Sequence, residues 1–423
     1  MSTFDTLGLK PDLMTALKDA GLTTPTPIQT KAIPLALEGQ DVLGLAQTGT
    51  GKTLAFGIPL VSHLLDAPER PAARTAKSLI LAPTRELVNQ IADNLRMLTA
   101  RTKLRVTTVV GGQSINKQIH QLLKGTDILV ATPGRLIDLM DRKAVDLRTV
   151  KHLVLDEADQ MLDMGFIHAL RRIAPKLGTP RQTMLFSATM PKPMEELSRA
   201  YLTNPAKVQV SPPGKAADKI TQSVHHLGGK AEKAAKLREI LSADPDALTL
   251  VFARTKHGAE KLMKGLVADG FNAASIHGNK SQGQRDRAIK AFRDGEITVL
   301  VATDVAARGI DIPGVAYVIN HDLPQVPDSY VHRIGRTARA GREGEAIAFC
   351  APDEADLLRQ IEKLMKIEIP VASGTAPKDP VARQPQQRGQ GRSKGQGQNR
   401  PAGNAAAKPN GNRRRRNRSR KAA

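Results

Sequence analysis

The sequence predicts an α/β protein: two tandem domains, each with a parallel sheet covered by helices, followed by a disordered basic C-terminal tail. Three observations predict it. Short apolar, β-rich runs alternate with amphipathic segments through two long stretches of the chain. A Pro- and Gly-containing break, Ser211-Pro-Pro-Gly-Lys-Ala-Ala, separates the two stretches. After Val371 apolar residues become rare, and Gly, Gln, Pro, Asn and Arg take over. Short buried strands alternating with helices form parallel sheets covered on both faces.

The first domain, expected over residues 1–210, takes strands from Val42–Ala46, Ser78–Ala82, Arg105–Val110, Asp127–Ala131, His152–Asp156 and Thr183–Ser187. Amphipathic segments such as Glu86–Leu98 and Ile115–Leu123 lie between them. Residues 211–219 read as a linker. The second domain, 220–370, takes strands from Gln222–His226, Leu248–Ala253, Ala273–His277, Thr298–Ala302, Ala316–Asn320 and Ala346–Cys350, and closes on a helix from Asp353 to Lys366. The tail, 371–423, cannot bury enough apolar surface to offset its ordering entropy, so disorder is expected there.

Composition narrows the partners. The 423 residues suffice for two or three domains, and 3% aromatic content without tryptophan requires aliphatic cores. The net charge is +22, of which residues 371–423 hold +13, leaving the body basic at +9. Such a balance favours a polyanion, either nucleic acid or an anionic membrane. No apolar stretch approaches the roughly 20 residues that span a bilayer, and the N-terminus has no basic start followed by a long apolar run. Nucleic acid is the partner left. Cys350 is alone, inside the apolar run Ala346–Ala351, so it reads as a buried strand residue with no disulfide partner. That usage suits a reducing cytoplasmic location.

Two motifs carry phosphate chemistry. Ala46-Gln47-Thr48-Gly49-Thr50-Gly51-Lys52-Thr53 follows a strand and opens a helix, the context that a phosphate-binding loop needs. Its glycines let backbone N–H groups converge on phosphate oxygens. Lys52 can neutralise the β and γ phosphates, and Thr53 can ligate Mg²⁺. Read alone, Gly-Lys-Thr is also a plain helix start. The second motif, His152-Leu-Val-Leu-Asp156-Glu157-Ala-Asp159, puts two carboxylates at the end of an apolar strand. Asp156 can hold Mg²⁺ and Glu157 can take a proton from the attacking water. Acids at a helix N-terminus are favoured in any case. Together, the two motifs in one domain point to an Mg²⁺-dependent ATPase.

The run Asp156-Glu157-Ala158-Asp159 resembles the signature of the DEAD-box ATP-dependent RNA helicases, and the resemblance extends over roughly residues 4–350, closest to bacterial RhlE-type members with similar basic tails. It implies two RecA-like domains with ATP and RNA bound across the cleft between them. Pro25-Thr26-Pro27-Ile28-Gln29 resembles the family's adenine-selecting motif, with Phe4 as the upstream aromatic and Leu22 where the family usually has an aromatic. The Gln29 amide can accept from adenine N6 and donate to N7, as Gln does to adenine in DNA, and Phe4 is expected to stack on the ring.

Pro83-Thr84-Arg85-Glu86-Leu87, Gly111-Gly112 and Thr132-Pro133-Gly134-Arg135 resemble the RNA-backbone motifs of the first domain; each follows a predicted strand, where open α/β sheets bind ligands. Each is equally readable as a strand-to-helix turn. Ser187-Ala188-Thr189 resembles the motif that, with Asp159, couples ATP state to RNA state, and by itself looks like a helix cap. The second domain has no phosphate loop. Val331-His-Arg-Ile-Gly-Arg336-Thr-Ala338-Arg339 resembles the family's last motif, which makes Arg336 and Arg339 its arginine fingers; Ala338 replaces a frequent glycine. A solvated basic face or a direct RNA contact is the alternative for these arginines. Asp304-Val-Ala-Ala-Arg308-Gly309-Ile310-Asp311 implies a ribose contact for Asp311, with Thr303 and Asp304 near RNA. The resemblance implies that Val251-Phe252-Ala253-Arg254-Thr255 and Gln284-Arg285-Asp286-Arg287 complete the RNA side, with Arg254, Gln284 and Arg287 as contacts, Arg287 being otherwise an exposed helix charge.

No motif reads base edges, so recognition is expected through the sugar–phosphate backbone. The tail lacks aromatics, and its binding is expected to be electrostatic. Further implied partners are ribosome-assembly or RNA-decay proteins. Two rival classes remain: a DNA translocase, and an RNA clamp with little turnover.

Overall fold

The computed structural model describes residues 3–46, 49–210, 220–307, 312, 314–338 and 343–376. Gln47, Thr48, the linker 211–219, Arg308–Asp311, Arg339 and the tail from residue 377 lie outside the described residues.

The first sheet contains seven parallel strands: β1 (Val42–Leu45), β2 (Ala76–Leu81), β3 (Val106–Val109), β4 (Thr126–Ala131), β5 (His152–Leu155), β6 (Gln182–Ser187) and β7 (Ala206–Gln209). The second contains β8 (Ile220–His226), β9 (Thr249–Phe252), β10 (Ala273–Ile276), β11 (Val299–Ala302), β12 (Tyr317–Asn320), β13 (Gly344–Cys350) and β14 (Val371–Ser373). The strand orders are β3-β4-β2-β5-β6-β1-β7 and β10-β11-β9-β12-β13-β8-β14. Counted from the first strand of each sheet, the two orders are identical. The chain therefore repeats one winding twice, although only the first copy carries a phosphate loop.

Burial explains why the inner strands read as continuous apolar runs. In β9, Leu250 and Phe252 pack on one face of the sheet with Phe292, while Val251 faces the other way against Leu237 and Leu266. Helices cover both faces, so successive side chains are all buried. Each fully buried aliphatic side chain contributes about 1.5–3 kcal/mol. Cys350 is buried on β13, as expected.

Two strands, β7 and β14, have no counterpart among the apolar runs of the sequence; each is the seventh in its sheet and lies at an edge. Their side chains are mostly exposed or half-buried, so neither carries an apolar run. β14 also moves a boundary. Composition puts the start of the tail at Val371, yet Val371–Ser373 pair with β8. Among the described residues, no helix is long and apolar enough to cross a membrane.

The strand order decides which loops meet. β5, β6 and β1 are neighbours, so Asp156, Ser187 and Lys52, at or just beyond the ends of these strands, lie together. β3, β4 and β2 are neighbours at the other side, which gathers Gly112, Thr132 and Arg85.

Candidate functional site

A cavity of about 500 Å³ opens at the ends of β1 and β5. Gly49, Gly51, Lys52 and Thr53 form one wall, Asp156 and Glu157 another, and Arg293 and Arg336 from the second domain close it. Gly51 caps the helix Lys52–Asp66 with φ +88°. A Cβ there would lie 2.5 Å from Nε2 of Gln29, so only glycine fits. Gln29 uses that space: its Nε2 donates to the Gly51 carbonyl at 3.0 Å, and its Oε1 accepts from the Thr26 N–H at 2.9 Å. The amide thus closes a capping box on the helix Pro27–Leu37 while gripping the phosphate loop.

Lys52 is only 5% exposed. Its Nζ donates to the Ala46 carbonyl at 3.2 Å and lies 3.8 Å from Asp156 Oδ1. Burial pushes the Asp156 carboxyl up to about 6; Lys52 pulls it down, and Glu157 pushes it further up. The Glu157 N–H donates to Asp156 Oδ1 at 3.0 Å. Glu157 itself sits at φ +52°, ψ +50°, in the left-handed region. For a residue with a Cβ this costs about 1–2 kcal/mol, strain that sits on the candidate base.

These residues fit a nucleotide with a divalent cation. A buried lysine and two buried carboxylates suit phosphates and a metal better than either alone. Among the described residues, no three His, Cys, Asp or Glu side chains gather to cage a metal. A cation here would take Thr53 and Asp156 from the protein and fill its shell from phosphate and water oxygens, as Mg²⁺ does.

Asp159 ties this wall to β6. Its Oδ2 accepts from the Ala188 N–H at 3.1 Å, the Thr189 N–H at 2.9 Å and the Thr189 hydroxyl at 3.1 Å. The Ser187 hydroxyl donates to the Thr189 carbonyl at 2.7 Å. From the second domain, His332 Nε2 reaches to 3.7 Å from the same Asp159 oxygen. The three residues expected to couple two states therefore form one hydrogen-bonded unit at the domain boundary. Arg336 is buried, and its Nε donates to the His332 carbonyl at 3.2 Å.

A second cavity, about 410 Å³, lies over β3, β4 and β2. It is lined by Pro83, Thr84 and Arg85, by Gly111, and by Thr132, Gly134 and Arg135. The Arg85 guanidinium packs on Gly111-Gly112 so closely that a Cβ on Gly112 would meet Nη1 at 1.9 Å. Thr84 caps its helix by accepting from the Leu87 N–H at 3.2 Å. Arg135 donates to the Gln113 carbonyl and to Gln118 Oε1, both at 3.1 Å. Arg285 and Val305 enter from the second domain. Burial lowers the pKa of Arg85, helped by the neighbouring positive charges of Arg285 and Arg135. Glu86 opposes that shift and pairs with Arg285 at 2.9 Å, so one carboxylate already lies among the arginines.

Residues 26–197 match the family model described as DEAD/DEAH box helicase, and residues 232–341 match that of the helicase conserved C-terminal domain. The ATP-dependent RNA helicase CshA of Limosilactobacillus reuteri is 45% identical over 378 residues, spanning 88% of this chain and 74% of the relative. The RNA helicase CrhR of Synechocystis sp. is 45% identical over 372 residues, with the same coverage of both chains. The chain belongs to the DEAD-box ATP-dependent RNA helicase family. The fold agrees: Saccharomyces cerevisiae Dbp5 bound to RNA and ADP BeF3 superposes with a TM-score of 0.80 at 33% identity, covering 88% of this chain and 96% of that one. Mss116p bound to single-stranded RNA and AMP-PNP gives 0.79 at 29% identity, over 89% and 80%. The two tandem sheets are thus RecA-like domains.

Within this DEAD-box frame several expected site residues stand elsewhere. Phe4 is 2% exposed and packed in the core with Leu17 and Ile33, so its ring has no free face for a base. Gln284 is exposed and spent on the capping box of the helix Gln282–Arg293, with its Oε1 accepting from the Ser281 N–H at 2.9 Å. Arg287 is exposed on the same helix. The residues that do reach the first domain are Gln282 and Arg285. Gln282 accepts from Arg85 Nη1 at 3.0 Å and donates to Glu86 Oε1 at 3.1 Å, and Arg285 pairs with Glu86 at 2.9 Å. Helical phase is the reason: residues 282 and 285 share a face that 284 and 287 do not.

Asp304 is occupied as well. Both of its oxygens pair with Arg333, at 2.5 and 2.8 Å, and Arg333 also donates to Asn320 Oδ1 and the Asp322 carbonyl. This buried arginine is fully held, and Asp304 is its counter-ion, with both carboxylate oxygens engaged. Thr303 beside it is half-buried, and its carbonyl caps the helix Asp304–Ala307. Arg254 is exposed and pairs with Glu354, which also binds Lys233 at 2.5 Å. Gln47, Thr48, Asp311 and Arg339 fall outside the described residues.

Proposed function

We infer that the protein is an RNA-dependent ATPase that couples hydrolysis to opening short RNA duplexes or remodelling RNA–protein complexes. The observation that carries this reading is that each cavity is walled by both domains: Arg336 and Arg293 face Lys52 and Glu157 in one, and Arg285 faces Arg85 and Arg135 in the other. Neither ligand is fully enclosed by one domain alone, so binding either one favours closure, and closure completes the site for the other.

In this reading Lys52 neutralises charge on the β and γ phosphates of ATP, and the Gly49–Gly51 loop supplies backbone donors. Thr53 and Asp156 would hold Mg²⁺, which offsets charge on the transferring phosphoryl group when bound. Glu157 orients the attacking water and accepts its proton. Arg336 stabilises charge that develops in the transition state, an effect worth about 10³–10⁵ in rate in related phosphoryl transfers. Arg85, Arg135 and Arg285 take the phosphates of one RNA strand without reading bases. Holding that strand along a path which a duplex cannot follow would expel its complement. The +13 segment 371–423 adds weakly selective electrostatic affinity.

Two measurements test this reading. ATP turnover should rise with single-stranded RNA and far less with DNA of the same sequence, and a short RNA duplex should open only with ATP. Equal stimulation by DNA would favour a DNA translocase. Absence of multiple turnover would leave an RNA clamp.

A further inference from the structure

One helix from each domain touches both cavities. In the first domain the helix Arg85–Thr99 starts at the RNA cavity with Arg85 and Glu86; Gln90, Asp93 and Asn94, further along, line the nucleotide cavity. In the second domain the helix Gln282–Arg293 puts Arg285 at the RNA cavity and its last residue, Arg293, at the nucleotide cavity. At about 1.5 Å per residue, Arg285 and Arg293 lie about 12 Å apart along the axis. Residues 282, 285 and 293 fall on one stripe of that helix, and 86, 90, 93 and 94 on one stripe of the other.

The two helices are tied together at the RNA end. Glu86 accepts from Gln282 at 3.1 Å and pairs with Arg285 at 2.9 Å, and Arg85 donates to Gln282 at 3.0 Å. Glu86 is buried and Arg285 nearly so, which makes the pair more costly to break than one in open solvent. Arg293 differs. It is exposed, and among the described residues it has no ion pair and no side-chain hydrogen bond. Its place at the nucleotide cavity is therefore set by its helix, whose position is set by the tie at the RNA end.

We propose that Arg293 is a positioning residue through which RNA-cavity closure is felt at the nucleotide cavity. The tie among Arg85, Glu86, Gln282 and Arg285 seats the helix, and the seated helix holds the Arg293 cation over the nucleotide. This rests on the RNA-dependent ATPase reading. It supplies a second link between the cavities, apart from Asp159 and Thr189.

The test measures the coupling factor directly: the fold by which saturating single-stranded RNA tightens binding of a non-hydrolysable ATP analogue, and the reciprocal effect of the analogue on RNA affinity. Coupled sites must change each other equally, by about 5–150-fold in typical cases. Arg293→Ala should cut that factor by about 5-fold or more, with RNA affinity in the absence of nucleotide unchanged, and Arg293→Lys should retain most of it. Glu86→Gln should lower the factor too, and the double variant should be no worse than the weaker single. Lys290→Ala, exposed on the same helix and lining neither cavity, should behave as wild type. Full coupling in Arg293→Ala, or an equal loss in Lys290→Ala, would overturn the proposal alone. No coupling in the wild-type protein would overturn the RNA-dependent reading and this inference with it.

Discussion

Replacing Asp159 by Asn keeps the shape of the side chain and removes its charge, which makes it a sharp probe of the unit that joins β5 to β6. Asp159 is 4% exposed, and its two oxygens accept four hydrogen bonds. Oδ1 takes the Gln160 N–H at 3.0 Å, and Oδ2 takes the Ala188 N–H, the Thr189 N–H and the Thr189 hydroxyl. An asparagine must turn its NH₂ toward one set. The less harmful choice faces Gln160 and forfeits one bond; the other three survive without charge assistance. A lost bond to a charged acceptor costs about 1.5–3 kcal/mol, and neutralising the acceptor weakens each of the others by roughly half. The sum, allowing for non-additivity, is about 3 kcal/mol in the first domain. Urea unfolding of the full chain should show that loss, and duplex opening per ATP hydrolysed should fall, because Thr189 is held less firmly once the acceptor at position 159 is neutral. An unfolding midpoint and an unwinding yield both equal to wild type would refute the idea that this carboxylate holds the two motifs together.

Single residues elsewhere give further tests. Glu157→Gln should retain ATP and RNA binding while hydrolysis falls by about 10²-fold or more; near-normal turnover would remove Glu157 from the base role. Gln29→Ala should weaken any preference of the enzyme for ATP over GTP and also loosen the phosphate loop, since both ends of its amide are used internally; equal wild-type turnover of ATP and GTP would leave it a capping residue only. Ala338 sits at φ +54°, where alanine is strained by about 1–2 kcal/mol, so Ala338→Gly should stabilise the protein by about 0.5–1 kcal/mol after the entropy of glycine is subtracted, and a lower denaturation midpoint would contradict this. Burial lowers His152 to about 4, with His63 stacked on it at 5.1 Å adding to the shift. The folded group binds its proton later than the unfolded one, so stability is fully present above about pH 6.5 and falls by up to about 3 kcal/mol as pH drops toward 4; His152→Gln should flatten that profile, and parallel profiles would count against it.

The two-domain α/β plan was legible in the sequence alone, because buried strands leave continuous apolar runs and phosphate chemistry demands particular residues at particular spacings. Every inner strand coincides with one of those runs to within about two residues. Lys52, Asp156, Glu157, Arg85 and Arg135, each singled out by a motif, all line cavities. The features that the sequence left undecided depend on contacts between distant segments. The edge strands β7 and β14 gain their order from hydrogen bonds to a neighbour, not from an apolar pattern. Phe4 looks like a stacking aromatic until the core is seen to close over it. Asp304 looks available until Arg333 folds back onto it. The choice of Gln282 and Arg285 over Gln284 and Arg287 turns on which face of one helix meets the other domain. Strand order is the largest decision of this kind. A local run of residues specifies that a strand forms and which loop motif succeeds it, while only the packed sheet decides which strand ends are neighbours, and hence which motifs share a cavity.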